Sequence, residues 1–356
     1  MNPERFAQIL LDWSSANQRE LPWKKDNNPY IIWISEIILQ QTRVEQGTPY
    51  FLRFVSKFPD IRALAAAEED QVLKVWEGLG YYSRARNLHF TAKQICSKYG
   101  GEFPNTYAGI LQLKGIGPYT AAAISSFAFE LRHPVVDGNV LRFVARMLSI
   151  LEPIDISLTK VRIGQFVTSA IQNVSPSSFN QAMMDFGSSI CTPLKPKCDR
   201  CPFQMYCVSY QNDIVSKIPY KSKRIVRKDR YFHYLDITFP EELMLIVQRT
   251  NTDIWKNLYE LPMIETDSPF VPDFGKIENY LQSIANTCQL VPGTFRHVYK
   301  DKQVLSHQNI YGFFYKIEAD GQPVKINQDH YLVERAKVSN FAFPKIMTMY
   351  LKKVEI

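Results

Sequence analysis

No apolar stretch in this 356-residue sequence reaches the roughly 20 residues that a membrane-spanning helix needs. The longest, Tyr30 to Leu39, is interrupted by Ser35 and Glu36. Met1-Asn2-Pro3-Glu4-Arg5 lacks the basic-then-apolar layout of a secretory signal, so a cytoplasmic protein without a membrane partner is expected. Fifteen glycines and six cysteines exclude a collagen-like chain and a disulfide-held miniprotein. Internal repeats and low-complexity tracts are absent as well. So is any strong overall charge: 42 Lys and Arg against 35 Asp and Glu leave +7. Lys217 to Arg230 (KIPYKSKRIVRKDR), with seven basic residues and one acidic, carries +6 of it, and the remainder is nearly neutral at +1. A global field drawing in a polyanion is thereby excluded, and any attraction for nucleic acid has to come from local patches.

What is present is an ordinary globular composition, 46% apolar and 22% charged, over a length that suits two domains. Residues 1–216 read as all-α. Phe6, Ile9, Leu10 and Trp13 form one apolar stripe, and Leu88, Ala92, Ile95 and Tyr99 repeat it before the stop at Gly100-Gly101. After the basic stretch 217–230, expected to be a solvated linker, the periodicity changes. Tyr231–Phe239, Leu243–Arg249 and Ile310–Ile317 are short runs of β-branched and aromatic residues, while 276–286 and 344–353 look helical. A smaller α+β domain over 231–356 follows.

Four of the six cysteines, Cys191, Cys198, Cys201 and Cys207, fall within seventeen residues as C-x6-C-x2-C-x5-C. Four thiolates from one short loop can close a tetrahedral zinc site or grip an iron–sulfur cluster. Structural zinc usually takes two close pairs, so a single C-x2-C flanked by lone cysteines leans toward iron–sulfur. Cys96 lies on an apolar stripe and is expected in the core; Cys288 has no visible role. Leu113 to Ala121 (LKGIGPYTA) joins two helical segments through Gly115 and Gly117, which let the backbone turn tightly and expose N–H groups to an anion. It is not a dinucleotide fingerprint: Thr120 stands where a third Gly is needed, and no strand precedes it.

Two carboxyls stand out. Glu36 lies in a helical run apolar nearly all round, and burial there raises a carboxyl pKa, as a general acid requires. Asp137, before the helix expected from Asn139 to Leu148, is an N-cap candidate that the helix end would hold ionised. Two carboxyls of opposite protonation state suit acid–base work, one giving a proton and the other stabilising positive charge.

Hairpin, Asp137 and the four-cysteine loop together resemble the helix-hairpin-helix, Gly/Pro-Asp DNA glycosylase superfamily. Trp33-Ile34-Ser35-Glu36, Leu39-Gln40-Gln41-Thr42, Gly78 to Asn87 (GLGYYSRARN) and Val136-Asp137-Gly138-Asn139-Val140 are similar to adenine DNA glycosylases of the MutY type. The resemblance implies a [4Fe-4S] cluster on the four cysteines and base excision from double-stranded DNA by a monomer, at the bacterial nucleoid. Glu36 would protonate adenine, chiefly at N7; Asp137 would stabilise or trap the sugar cation, with Asn139 beside it. Trp23, Leu39 and Gln181 match adenine-pocket positions, and Lys24 stands where some relatives carry Arg. Gln40, Gln41 and Tyr81 match residues that enter the base stack or hold the orphaned partner. Tyr119 stands where endonuclease III types carry a Schiff-base Lys, so a monofunctional enzyme with little strand cleavage is expected. The C-terminal half resembles a Nudix-like domain that reads 8-oxoguanine, but it lacks the G-x5-E…R-E-x-x-E-E run of pyrophosphate hydrolysis. Phe295-Arg296-His297 and Ser306-His307 resemble its recognition loop, with Tyr299 to Gln303 as extra residues. The expected substrates are 8-oxoguanine:adenine and guanine:adenine mispairs. The rivals are a bifunctional pyrimidine-lesion glycosylase/lyase and a non-catalytic iron–sulfur DNA sensor.

Overall fold

The computed structural model describes the chain except residues 26, 223–225, 271–273, 285–288, 291–293, 321–326 and 355–356, and gives the backbone alone at 274, 281, 284, 289, 290 and 320. Cys288 therefore lies outside the described residues. Contacts divide the chain into two units: Met1–Ala66 with Asn87–Arg224, and Ala67–Arg86 with Ile225–Ile356. The division is thus not one cut of the chain, because a short segment of the helical half groups with the C-terminal part. No helix among the described residues is long and apolar enough to cross a membrane.

The first unit is helical. Its elements are α1 (Pro3–Ala16), α2 (Pro29–Leu39), α3 (Val44–Lys57) and α4 (Ile61–Ala66). After α5 (Glu69–Trp76), which belongs to the second unit, come α6 (Ser83–Tyr99), within which the division falls, α7 (Tyr107–Leu111) and α8 (Pro118–Phe129). It ends with α9 (Gly138–Met147), α10 (Ser157–Ala170), α11 (Pro176–Ser189) and α12 (Val208–Gln211). The expected stripe of α1 is real: Phe6 and Leu10 are fully buried, and Phe6 stacks among Phe143, Phe166, Phe179 and Phe203. Cys191 and Cys201 pack against this same aromatic core. Helix α2 starts where Asn28 accepts the Tyr30 N–H and Pro29 takes the first position. It is buried from Ile32 through Ile38, and it packs on α8.

The second unit is built on a mixed sheet, eight-stranded among the described residues. Its strands are β1 (Lys228–Phe239), β2 (Leu243–Gln248), β3 (Tyr259–Glu260), β4 (Met263–Thr266), β5 (Gln289–Leu290), β6 (Arg296–Val304), β7 (Gln308–Asp320) and β8 (His330–Glu334). The central strand β1 runs parallel to β7 and pairs antiparallel with both β4 and β2. Helices α13 (Phe274–Ile284) and α14 (Lys345–Lys353) fall where sequence periodicity places them. Helix α5 is tied to β3 by Tyr259 Oη donating to Asp70 at 2.8 Å, and to the segment before α14 by Phe343 N–H donating to Glu77 at 2.8 Å and Lys74 Nζ to the Phe341 carbonyl at 2.8 Å.

Two expectations change here. The stretch 217–230 is not a solvated linker throughout: Ile218 is buried, Ser222 is bonded to Asp155, and β1 begins at Lys228. The two halves of the expected recognition loop do not form one loop either. The residues Tyr299 to Gln303 belong to β6, so Phe295–His297 and Ser306–His307 sit at opposite ends of a strand, about 30 Å apart at strand rise. Phe295 and His297 instead pack on Tyr315.

Candidate active site

A cavity of about 700 Å³ in the first unit gathers most of the residues singled out from sequence. Glu36, Leu39 and Gln40 reach it from α2 and its end, Gln41 and Thr42 from the following turn, and Tyr119 from the first turn of α8. Asp137 and Asn139 close another side at the start of α9, and Gln181 projects from α11. Trp23 lines it too, held edge-on to Phe51 at 5.2 Å. Gln41 is exposed, at φ +58°, where α2 ends. Gln40 donates to Thr120 Oγ1 at 3.3 Å.

Glu36 is 7% exposed. Burial pushes its carboxyl up to about 7; a hydrogen bond from Tyr119 Oη at 2.7 Å pulls it down, and the charge of Asp137 pushes it up again. The protonated form that a general acid needs is therefore populated near neutral pH. Tyr119 is itself held well above its ordinary value, by burial and by Glu36, and stays a phenol.

Asp137 caps α9 as expected: Oδ1 accepts the Asn139 and Val140 N–H groups at 2.9 and 2.8 Å, and Asn139 Nδ2 donates to Oδ2 at 2.6 Å. Its ionisation is a balance of opposed contributions. Burial raises its pKa above the ordinary value, and the Val140 and Asn139 bonds and the nearby Arg142 act against that rise. Asn139 is fixed in turn by Arg142, whose guanidinium donates to Asn139 Oδ1 at 2.9 Å, the Cys191 carbonyl at 2.8 Å and the Gly187 carbonyl at 2.5 Å.

Lys24 does not line the cavity; its Nζ is ion-paired with Asp185 Oδ2 at 2.7 Å, and Asp185 does line it. Neither Asp185 nor Arg142 is singled out by sequence reading. The usable signal for Arg142 was a basic residue in the middle of an apolar run, Val140 to Ala145, since a buried Arg has to spend its donors on specific acceptors.

The hairpin forms as expected. Gly115 takes φ +78°, and a Cβ there would meet Asn87 at 2.7 Å; Gly117 caps α8 with open space around its Cα. Leu113 and Ile116 are buried, which leaves the glycine backbone outward.

The four cysteines line one cavity of about 30 Å³. Burial raises the Cys198, Cys201 and Cys207 thiols, and each of the three is pushed up further by neighbouring thiols, so the sulfurs converge. Arg146 donates to Cys191 Sγ at 3.5 Å. Among the described residues no three His, Cys, Asp or Glu side chains are spaced to hold a single metal ion. Cys96 is half-buried, outside this group, beside the Ile61 carbonyl.

In the second unit Tyr81 is 46% exposed at φ +48°, between Gly80 and the buried Tyr82, so it is not a core residue. Its Oη lies 2.6 Å from Ser306 Oγ. A cavity of about 530 Å³ takes in both, with His307, Trp255 and Lys345 on its wall. Ser306 and His307 form the turn between β6 and β7, closed by Leu305 N–H to the Gln308 carbonyl at 2.8 Å.

Residues 34–160 match the HhH-GPD superfamily of base excision DNA repair proteins. Among solved structures, a thermostable thymine-DNA glycosylase aligns with a TM-score of 0.55 at 26% identity, over 59% of this chain and 97% of that one. An endonuclease III–DNA complex aligns at 0.52 and 20% identity, which speaks to the fold alone. The class is therefore that of the helix-hairpin-helix DNA glycosylases of base excision repair. The adenine DNA glycosylase of Buchnera aphidicola subsp. Schizaphis graminum is 38% identical over 266 residues, 73% of this chain and 75% of its own. That of Mus musculus is 29% identical over 370 residues, 89% of this chain and 71% of its own. The chain belongs to the adenine DNA glycosylase family.

Proposed function

We propose that the enzyme removes adenine paired with 8-oxoguanine, and less selectively with guanine, from double-stranded DNA by monofunctional hydrolysis. The observation that carries this reading is a buried Glu36 carboxyl that accepts a hydrogen bond from Tyr119 and lines one cavity with Asp137, with burial pushing its pKa up. An extruded adenosine enters beside Trp23, Leu39 and Gln181. Glu36 gives its proton to N7; the C1′–N9 bond breaks, and its electron pair returns to the purine. The oxacarbenium carbon is held by the Asp137 carboxylate, whose orientation Asn139 fixes. Water adds to C1′ and gives up its proton to the now anionic Glu36, leaving free adenine and an abasic site. Tyr119 cannot form an imine, and Lys24 is engaged by Asp185.

The reading of the partner base rests on Tyr81 and Ser306, whose hydroxyls meet in their own cavity. Domain 231–356, joined by 67–86, is read as Nudix-like because a mixed sheet carries α13 and α14. Four convergent thiols in a basic loop fit a [4Fe-4S] cluster held by Cys191, Cys198, Cys201 and Cys207, which would lock residues 191–207 as one rigid unit. The protein acts as a cytoplasmic monomer whose hairpin glycines, Gly115 and Gly117, grip DNA phosphate. The test is single-turnover adenine release from duplexes differing only in the opposite base, with borohydride present in a parallel series. Fastest release opposite 8-oxoguanine without covalent capture is expected. Efficient capture, or equal rates opposite every base, overturns the reading.

A further inference from the structure

The first half of the basic stretch is fastened to the helical unit around Lys221. The Ile218 carbonyl accepts Arg146 Nε at 2.8 Å, and the Tyr220 carbonyl accepts the Ile154 N–H at 3.0 Å. On the other side, Ser222 N–H and Oγ both bond the Asp155 carboxylate at 3.0 Å. Lys221 is thus delivered to a cavity of about 580 Å³ whose wall includes Gly138 and Asn139, residues that also wall the cavity of Glu36 and Asp137. Lys160 of α10 lines both cavities.

The charge around this second cavity is mostly positive, and its donors divide into two kinds. Arg142 and Arg146 turn their guanidinium groups onto protein acceptors, Arg146 reaching the Thr192 and Pro193 carbonyls at 2.7 and 2.9 Å. Among the described residues the one carboxylate on the wall, Asp155, is engaged by Ser222. Lys160 and Lys221 are exposed, and no ion pair engages either among the described residues. In front of Gly138, open space lies where a Cβ would be, so a bulky anion can reach the backbone there.

We propose that Lys221 and Lys160 together hold a backbone phosphate of the strand carrying the extruded nucleotide. This rests on the glycosylase reading in one respect: an adenosine whose C1′ sits at Asp137 stays tethered by its own flanking phosphates. The Gly138–Asn139 wall is common to both cavities, so a flanking phosphate can reach it, and there Lys160 and Lys221 have no ion pair among the described residues. A basic segment at the end of the catalytic unit thereby becomes part of the DNA grip.

The experiment measures binding of full-length enzyme to a duplex with a non-cleavable tetrahydrofuran abasic analogue opposite 8-oxoguanine, as a function of salt. Lys221→Ala and Lys160→Ala are each expected to flatten the slope of log K against log salt by about 0.9, and the double variant by about twice that. Lys221→Arg keeps the wild-type slope. A methylphosphonate beside the abasic analogue weakens wild-type binding but costs the double variant nothing further, while the same change in the opposite strand costs both proteins equally. Unchanged slopes, or an equal loss in both proteins from the abasic-strand methylphosphonate, overturn the proposal. Because the probe is never cleaved, a wild type that binds this way without releasing adenine would sink only the proposed function. Unchanged slopes in an adenine-releasing enzyme would sink only the phosphate clamp.

Discussion

Replacing Glu36 by Gln should make the protein more stable and inactive at once, with the gain in stability tied to pH. The folded carboxyl titrates near 7 against an ordinary 4.5. Below pH 4.5 both folded and unfolded chains hold the proton, and the group costs nothing. As pH rises through 4.5 the unfolded chain releases it while the folded chain keeps it, so stability falls until the folded carboxyl ionises near 7. The interval from 4.5 to about 7, at about 1.4 kcal/mol per unit, amounts to about 3 kcal/mol, complete above pH 7. Gln keeps the size of the side chain and an acceptor for Tyr119 Oη but removes the ionisation. Urea unfolding of wild type and Glu36→Gln, followed at pH 4.5 and pH 8, should give nearly equal midpoints at the first and a clearly more stable variant at the second. Adenine release in single turnover should fall by a factor on the order of 10² to 10⁴, the usual contribution of a general acid. A stability difference that is the same at both pH values, or release at the wild-type rate, would refute the argument that a buried proton is both the cost and the catalyst.

Tyr119→Phe removes the hydrogen bond that lowers the Glu36 pKa, so the alkaline limb of the single-turnover profile should move up by about one unit; a limb that stays put means Tyr119 does not tune the acid. Ser306→Ala should mainly reduce the preference for 8-oxoguanine over guanine opposite adenine, by about tenfold for one lost polar contact. Equal discrimination in both proteins would remove Ser306 from the site. Purified protein should be brown, with iron and sulfide in equal amounts, and Cys198→Ser should lose both; a colourless wild type carrying one zinc would refute the cluster.

The elements legible in the sequence are those with a buried stripe or a β-branched run. Helix α1 announces itself through Phe6 and Leu10, and β1 and β7 through apolar runs that pair along eleven positions in the central sheet. Strand β6 is invisible to the same reading. Arg296-His297-Val298-Tyr299-Lys300-Asp301-Lys302 alternates no clean apolar face, because it pairs along one side with β7 and leaves most of its side chains in solvent. Its charge is what an edge strand needs to discourage further pairing, and it made a strand look like an insertion between two halves of a loop. The grouping of Ala67–Arg86 with the sheet was equally hidden, since the bonds from Glu77 and Asp70 to Phe343 and Tyr259 span some two hundred residues of sequence. At the site, residue types were legible and their states were not. Lys24 carries the charge its position suggests, but only the structure shows that charge committed to Asp185.

At Asp137 the cap bonds act against burial. The helix end offers it two backbone donors, yet burial still raises its pKa. The proton nevertheless belongs on Glu36, by comparison of the two groups. Glu36 has the hydrogen bond of Tyr119, whereas Asp137 has Asn139 N–H, Val140 N–H and Asn139 Nδ2, with Arg142 nearby. Donors stabilise the anion, so the better-supplied carboxyl ionises first, and its charge then makes the second ionisation harder. In the proposed mechanism Asp137 thus acts on the acid as well as on the sugar. Asp137→Asn should lower the Glu36 pKa below its wild-type value of about 7, because one source of repulsion disappears while Tyr119 remains. Activity cannot report this in a dead variant, but the ¹³C shift of the Glu36 carboxyl, followed from pH 5 to pH 9 in wild type and Asp137→Asn, can. A Glu36 midpoint that is unchanged or higher in the variant would mean that the two carboxyls do not feel each other, and the division of acid and anion between them would have to be abandoned.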